Sequence, residues 1–252
     1  MQGTVFGSLI CTTVMDKLAK IFYSDTTLLY KYKNEVKVPI LGMVDDVLCV
    51  ARCASESVKC NSTINAFMEL NKFKLAEKKC SKHHIGKKRN NCPDYNVHKE
   101  TLKESHSETY LGDVIFEKGT LDETIKQRKL KGYSYISEIR ALLSDMPFWH
   151  RRVQVGLMLR DAMFANGILC NSEAWHNITK KHIEELEVMD RSLLRYILNA
   201  HSKLQNEFLY LEAGVLGIKQ IITSRRCYKE KMKKSQKGFI IHKRIIHQKV
   251  TG

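Results

Sequence analysis

The spacing of apolar positions changes near residue 116 of this 252-residue chain. Before that point, short apolar runs rich in β-branched residues predict strands, as at 36–50 (VKVPILGMVDDVLCV), where two short strands flank an Asp pair. Residues 55–70 instead repeat at helical spacing, and Ser55 is suited to cap the start of that helix. Its apolar face consists of Cys60, Ile64, Phe67 and Met68.

Further strands are predicted at 73–75 and 109–116, and the polar, aperiodic segment 81–106 predicts a loop. After residue 116 the apolar residues recur at the spacing of amphipathic helices. Four helices are predicted, at about 121–143, 151–169, 180–198 and 215–234. The expected fold class is therefore α+β, with antiparallel strands and helices over 1–116, a mostly helical region over 117–224 and a tail over 225–252.

Composition narrows the class of protein. Hydrophobic residues make up 43% of the chain and aromatic residues 8%, which is typical of a globular protein rather than a disordered one. No apolar run has transmembrane length, and the first residues lack the pattern of a signal peptide. The eight cysteines form no Cys-x-x-Cys pair. We therefore expect an intracellular protein, nuclear or cytoplasmic and not secreted, with reduced thiols and no membrane partner.

The net charge of +15 is unevenly distributed. Residues 225–252 carry ten Lys and Arg against one acidic residue, whereas residues 1–50 are neutral. A second basic segment runs from 72 to 89. Such clustering favours a polyanionic partner, and a solvated basic surface is the alternative.

Asp45 and Asp46 place two carboxylates inside an apolar strand pattern. One explanation is a solvated hairpin turn, but two-residue turns favour Asn-Gly or Asp-Gly, and here Val47 follows directly. The other explanation is a metal site, because rigid strands can hold two carboxylates at their tip and Mg²⁺ prefers oxygen ligands of this kind. The residues alone leave both explanations open.

Several segments resemble reverse transcriptases, and they occur in the same order along the chain. LGMVDD at 41–46 resembles the x-Asp-Asp motif in its valine-containing variant. QGTVFGSLICT at 2–12 is similar to the Gln-Gly segment that precedes the helix under the nascent base pair. FKLAEKKC at 73–80 resembles the strand-and-lysine motif, and YLGDVI at 110–115 resembles the Tyr-Leu-Gly element of the primer grip.

The resemblance continues into the helical region. Residues 166–179 and 182–198 resemble the region after the polymerase core in non-LTR (LINE-type) retrotransposons, where Glu-x-Trp precedes a helix ending in Leu-Arg. This likeness implies a partial polymerase palm followed by a helical, thumb-like region. The implied activity is RNA-directed DNA synthesis, a nucleotidyl transfer that uses two Mg²⁺ ions, an RNA template, a DNA primer and deoxynucleoside triphosphates.

The resemblance implies roles for particular residues. Asp45 and Asp46 would ligate the catalytic Mg²⁺ ions, while Gln2 and Gly3 would lie beside the template and the incoming nucleotide, where glycine lets the backbone approach a base. Lys79 would lie near the triphosphate, although one more lysine in a basic stretch is the alternative. The primer end would be positioned by Tyr110, Leu111 and Gly112, whose alternative role is that of core strand residues. The basic residues expected on a nucleic-acid backbone are Lys87, Lys88, Arg89, Arg225, Arg226, Lys233 and Lys234.

The sequence departs from the family's pattern in two places. Gly7 and Ser8 stand where many relatives have Ser-Pro, so the local turn is expected to differ. The family's first catalytic aspartate and its fingers lie upstream of the Gln-Gly segment, so we expect this chain alone to be inactive. The rival interpretation is a non-catalytic, nucleic-acid-binding remnant of a retroelement.

Two further groups of residues have simpler explanations. A set of Cys and His residues does not form two clean ligand pairs, so a solvated basic loop is favoured over a zinc site. Trp175 lies between predicted helices, where packing is favoured over a functional role. The Cys and His residues concerned are Cys80, His83, His84, Cys92 and His98.

Overall fold

The computed structural model describes residues 5–25, 31–32, 36–37, 40–43, 46–86, 96–97, 100–147 and 150–232. The chain divides into two compact units, residues 1–106 and 107–252. The predicted α+β class is confirmed, because the described residues combine helices with small two-stranded sheets. None of the helices in the described ranges is both long and apolar enough to cross a membrane.

The first unit contains two long helices and four strand pairs among its described residues. In chain order, its elements are α1 (Val5–Ser24), β1 (Lys31–Tyr32), β2 (Val36–Lys37), β3 (Ile40–Met43), β4 (Asp46–Cys49), α2 (Ala54–Leu70), β5 (Ser81–His83), β6 (Asn96–Val97), β7 (Glu100–Thr101) and β8 (Lys103–Ser105). The strands β3 and β4 form an antiparallel hairpin, which agrees with the two strands predicted around the Asp pair.

Apolar side chains from α1, β3 and α2 form the core of the first unit. Its buried members are Leu18, Phe22, Ile40, Cys60, Phe67 and Met68. Ile64 is partly buried against them, so the predicted apolar face of α2 is confirmed. The prediction that Ser55 caps this helix is wrong: Cys53 is the N-cap residue, and the Ser55 hydroxyl lies 3.2 Å from its thiol. The first turn is instead held by Arg52, whose backbone N–H donates to the Glu56 carboxylate at 2.9 Å.

One strand prediction and one loop prediction for this unit are wrong. Residues 73–75 are irregular backbone, because the Phe73 N–H turns back to the Met68 carbonyl (2.9 Å) and closes the end of α2. The segment 81–106 is more than a loop, since β5 pairs in parallel with β8 and β6 pairs with β7. In these pairings the backbone groups hydrogen-bond to each other, but apolar and polar side chains do not alternate along the strands. The sequence pattern therefore gives no sign of these strands.

The second unit begins with an antiparallel hairpin of β9 (Ser107–Tyr110) and β10 (Asp113–Phe116). The pattern predicts one continuous strand over 109–116, but Leu111 and Gly112 break it with positive φ angles of 50° and 85°. Positive φ at both central residues gives the type of turn whose twist matches paired strands, and glycine adopts it without steric cost.

The rest of the second unit is helical. Its helices are α3 (Asp122–Ser144), α4 (His150–Leu159), α5 (Asn166–Ile168), α6 (Lys180–Leu198), α7 (Asn206–Ala213) and α8 (218–232). The helices predicted at 121–143, 151–169 and 180–198 are confirmed, although a π-helical segment, Arg160–Ala165, interrupts the second of them. The last predicted helix starts three residues late, at 218, and α7 is missing from the prediction.

One apolar core joins α3, α4, α5, α6 and α8, and a smaller cluster packs α7 against α6. The largest buried members of the core include Ile139, Leu143, Phe164, Ile168, Trp175, Leu186, Leu193 and Ile197. The predicted packing role of Trp175 is confirmed, because its side chain is only 2% exposed within this core. The same interior also contains an ion pair, Arg160 with Asp190, both almost fully buried.

Candidate functional site

The hairpin of β3 and β4 brings one of the two predicted carboxylates to its open end. Asp46 pairs with Met43 across the hairpin and is exposed, while Val44 and Asp45 are the residues between the two strands. Asp45 lies outside the described residues. At the other end of the hairpin, Ile40 is buried against α1 and α2, so an apolar core fixes the strand that leads to the Asp pair.

Whether these residues fit Mg²⁺ depends on how many oxygen ligands converge. Among the described residues, no group of three or more His, Cys, Asp and Glu side chains comes together. Asp46 therefore supplies one exposed carboxylate, and a Mg²⁺ site here would need further oxygen ligands, such as the Asp45 carboxylate and substrate phosphates. The described Cys and His side chains of the basic segment form no such group either. His83 Nδ1 lies 2.8 Å from the Ser105 carbonyl oxygen.

Lys79 ends a short 3₁₀ helix, Glu77–Lys79, just before β5. Its side chain is exposed, and its backbone N–H donates to the Ala76 carbonyl at 2.8 Å. A lysine held on a hydrogen-bonded turn with its ammonium group in solvent is available to an anionic ligand.

Three cysteines lie in β4, at the N-cap of α2 and in the first half of α2, and their environments differ. Burial raises the pKa of the Cys49 thiol to about 12, and the neighbouring Cys60 adds to this. The pKa of Cys60 is also raised, mainly by burial. Cys53 is fully exposed, and the hydrogen bond with the Ser55 side chain lowers its pKa. Cys49 of β4 and Cys60 of α2 are therefore protonated, unreactive thiols of the core, whereas Cys53 at the start of α2 is an exposed thiol of lowered pKa.

We expect iodoacetamide to alkylate Cys53 well before Cys49 or Cys60 at pH 8, because the thiolate is the reactive form. Tryptic cleavage after Arg52 and Lys59 separates the three cysteines into different peptides, so a quenched time course read by mass spectrometry measures each rate. In urea the three rates should converge. Equal rates in the native protein would mean that the β3–β4 hairpin is not packed on α1 and α2.

The second predicted element, Tyr110, Leu111 and Gly112, forms the end of the β9–β10 hairpin. Leu111 is 41% exposed, Gly112 is also exposed and Tyr110 is half-buried. The side chain of Asn171 donates to the Leu111 carbonyl at 2.8 Å. Leu111 and Gly112 are thus surface residues at a turn, and Tyr110 is the last residue of β9.

A buried arginine that the sequence analysis missed holds this hairpin to the helices. Arg128, only 3% exposed, donates to the Asp113 carboxylate at 2.7 Å and to the carbonyls of Gly167 and Cys170 at 3.2 Å. The Trp175 indole N–H lies 3.4 Å from the same Asp113 oxygen. Its position in the sequence could have indicated that it is buried, because Arg128 comes three residues after Ile125 and so lies on the same, buried side of α3.

Two of the predicted phosphate contacts have partners within the protein. Arg225 donates to the Leu169 carbonyl and, at 2.7 Å, to the side-chain oxygen of Asn166, and Arg226 donates to the Trp175 carbonyl. Both arginines are half-buried on α8. These hydrogen bonds attach α8 to α5 and to the segment that follows it.

The described site residues therefore fall into two groups. Asp46 and Lys79 belong to the first unit, whereas the Tyr110–Gly112 turn, Arg225 and Arg226 belong to the second. The remaining predicted residues lie outside the described ranges: Gln2, Gly3, Asp45, Lys87, Lys88, Arg89, Lys233 and Lys234. Comparisons of the chain with protein-family models, with curated proteins and with solved structures give no match in any of the three.

Proposed function

We propose that this chain is the C-terminal part of the RNA-directed DNA polymerase domain of a non-LTR retrotransposon reverse transcriptase. The observation that carries the proposal is the β3–β4 hairpin, whose second strand begins at Asp46 and whose base is buried against α1 and α2. A polymerase palm needs this arrangement, because carboxylates on a rigid hairpin keep their positions while substrates move. The resemblance of LGMVDD to the x-Asp-Asp motif supports the same conclusion.

The proposed roles of this chain's residues follow from their chemistry. Asp45 and Asp46 would hold Mg²⁺, which when bound stabilises the attacking and leaving oxygens of phosphoryl transfer. Lys79 would place an exposed ammonium group near the triphosphate. Gly3 would let the backbone lie against the template base pair. The turn formed by Leu111 and Gly112 would contact the end of the primer.

The second candidate function is nucleic-acid binding without chemistry. The observation that favours it is the charge of the tail, where ten basic residues face one acidic residue in 225–252. Attraction between such a segment and a phosphate backbone releases counterions and requires neither the Asp pair nor a metal.

One experiment separates the two candidates. The full chain is mixed with a DNA primer annealed to an RNA template, Mg²⁺ and deoxynucleoside triphosphates, and both binding and primer extension are measured. Asp45→Ala removes a proposed metal ligand. The matched control is Asp16→Asn, because Asp16 is an exposed residue of α1 whose salt bridge with Lys20 contributes little to stability.

Extension, or tighter primer–template binding in the presence of Mg²⁺, that is lost in Asp45→Ala and retained in Asp16→Asn supports the polymerase. Salt-sensitive binding that neither Mg²⁺ nor Asp45→Ala changes supports the binding remnant. Extension that persists unchanged in Asp45→Ala, or a chain that ignores the primer–template at low salt, contradicts the proposed role of the Asp pair.

A further inference from the structure

The second unit contains an open cavity of about 310 Å³ beside the π-helical segment Arg160–Ala165. One wall consists of this segment and the start of α5, and the other consists of the connection from α7 to α8 and the first half of α8. The apolar part of the lining comes from Ala165, Val215, Leu216 and Ile221. This volume is at the lower end of the range for ligand pockets, so the cavity suits a small molecule with an apolar part.

The π-helical geometry places two polar residues of the cavity on one side of the helix. The backbone N–H of Asn166 donates to the carbonyl of Asp161, five positions earlier. In a regular α-helix, residues five positions apart point about 140° away from each other. Because the hydrogen bond here closes a wider turn, Asp161 and Asn166 both line the cavity.

Asp161 brings an excess negative charge to the cavity. The Arg160 guanidinium group donates to Asp161 at 2.7 Å and to Asp190 at 2.8 and 2.6 Å, so two carboxylates share one positive charge. Asp190 is fully buried, whereas the Asp161 side chain is 59% exposed. Among the described residues Arg160 bonds only the Oδ1 atom of Asp161, which leaves Oδ2 to accept a hydrogen bond from a ligand.

Arg225 brings an excess positive charge to the other wall. Its guanidinium group donates to the Leu169 carbonyl and, at 2.7 Å, to the side-chain oxygen of Asn166, and both acceptors are neutral. Within the described part of the chain no carboxylate forms an ion pair with Arg225. The two hydrogen bonds fix the orientation of the guanidinium group, and the side-chain N–H groups of Asn166 provide further donors next to it.

We infer that this cavity binds a small zwitterion with an apolar side chain, of the chemical class of an apolar α-amino acid. A ligand with both charges matches a cavity that has one excess charge of each sign on two different walls. The carboxylate of the ligand accepts from Arg225 and Asn166, and its ammonium group donates to Asp161. Its side chain packs against Val215 and Leu216. This site is separate from the proposed polymerase function, and neither proposal depends on the other.

The test is equilibrium dialysis of the full chain against radiolabelled L-leucine, with unlabelled analogues as competitors. 4-Methylpentanoate lacks the ammonium group, leucinamide lacks the carboxylate and glycine lacks the apolar side chain, so each analogue removes one of the three contacts. Asp161→Asn removes the negative charge of an exposed side chain at nearly constant size. Asp145→Asn is the matched control, because Asp145 is an exposed residue at the end of α3 and does not line the cavity.

We expect saturable binding of leucine, with each analogue competing about tenfold more weakly or worse, the effect of losing one favourable contact. Asp161→Asn should bind leucine about tenfold more weakly and should no longer distinguish leucine from 4-methylpentanoate, whereas Asp145→Asn should bind like the wild-type chain. Circular dichroism shows that both variants are folded.

Three results would overturn the inference. They are leucine binding that does not saturate, 4-methylpentanoate that competes as well as leucine for the wild-type chain, and a folded Asp161→Asn whose affinity for leucine equals that of Asp145→Asn. None of these results changes the case for the proposed polymerase, which is tested by primer extension.

Discussion

Replacing Arg160 by methionine is expected to lower the free energy of unfolding by about 3–5 kcal/mol. The Arg160 Nε and Nη2 atoms donate to the two carboxylate oxygens of Asp190 at 2.8 and 2.6 Å, and both side chains are almost completely buried. Without the guanidinium group, Asp190 would retain the Tyr210 hydroxyl at 3.2 Å as its partner. A single neutral donor compensates poorly for a buried negative charge.

Denaturant titration followed by circular dichroism measures this change. In the double variant Arg160→Met/Asp190→Leu the unpaired charge is absent, so much of the lost stability should return. Lys126→Met serves as the control, because Lys126 pairs with Glu123 at the surface of α3 and its loss should change stability by less than about 1 kcal/mol. A cost below about 1 kcal/mol for Arg160→Met would contradict the buried ion pair.

Replacing Trp175 by alanine is expected to cost about 3–5 kcal/mol, the range for removing a large buried aromatic side chain. Trp175 is 2% exposed in the core of the second unit, and its indole N–H lies 3.4 Å from Asp113. The substitution would leave a cavity beside Arg128, whose guanidinium carbon lies 6.0 Å from the centre of the indole ring. Both the apolar core and the attachment of the hairpin would therefore weaken.

Trp175→Phe distinguishes these two contributions. It keeps most of the ring volume and loses the N–H, so a cost nearer 1–2 kcal/mol is expected from the hydrogen bond and the smaller ring. Urea unfolding of the three proteins gives the comparison. If Trp175→Ala were no more destabilising than Trp175→Phe, the side chain would not fill the core as described.

The long helices of the second unit could be predicted from the sequence because their apolar stripes are long. The helix at 180–198 repeats apolar residues over five turns, and its bounds match those of α6. Helix α7 could not be found in this way, because eight residues give too short a pattern. It is held by Leu209 and Ala213, which pack against Leu194 of α6, and it ends at Gly214 in the left-handed conformation.

The candidate sites also differ in whether a local sequence pattern reveals them. The hairpin around Asp45 and Asp46 could be predicted because its strands carry a local apolar signal. The role of Arg128 could not, because residue spacing places a side chain on a face without showing which distant carboxylate satisfies it. Arg225 and Arg226 belong to a basic sequence, yet each donates to a backbone carbonyl of its own unit, a partner that composition does not show.

Both proposed functions require a nucleic-acid partner, so the salt dependence of binding to an RNA–DNA hybrid tests them together. Fluorescence anisotropy with the full chain is measured over a series of salt concentrations. We expect binding at low salt, with the logarithm of the association constant falling linearly as the logarithm of salt concentration rises, by about 0.7–0.9 for each phosphate neutralised. A chain that binds neither the hybrid nor its separated strands at low salt would contradict both proposed functions.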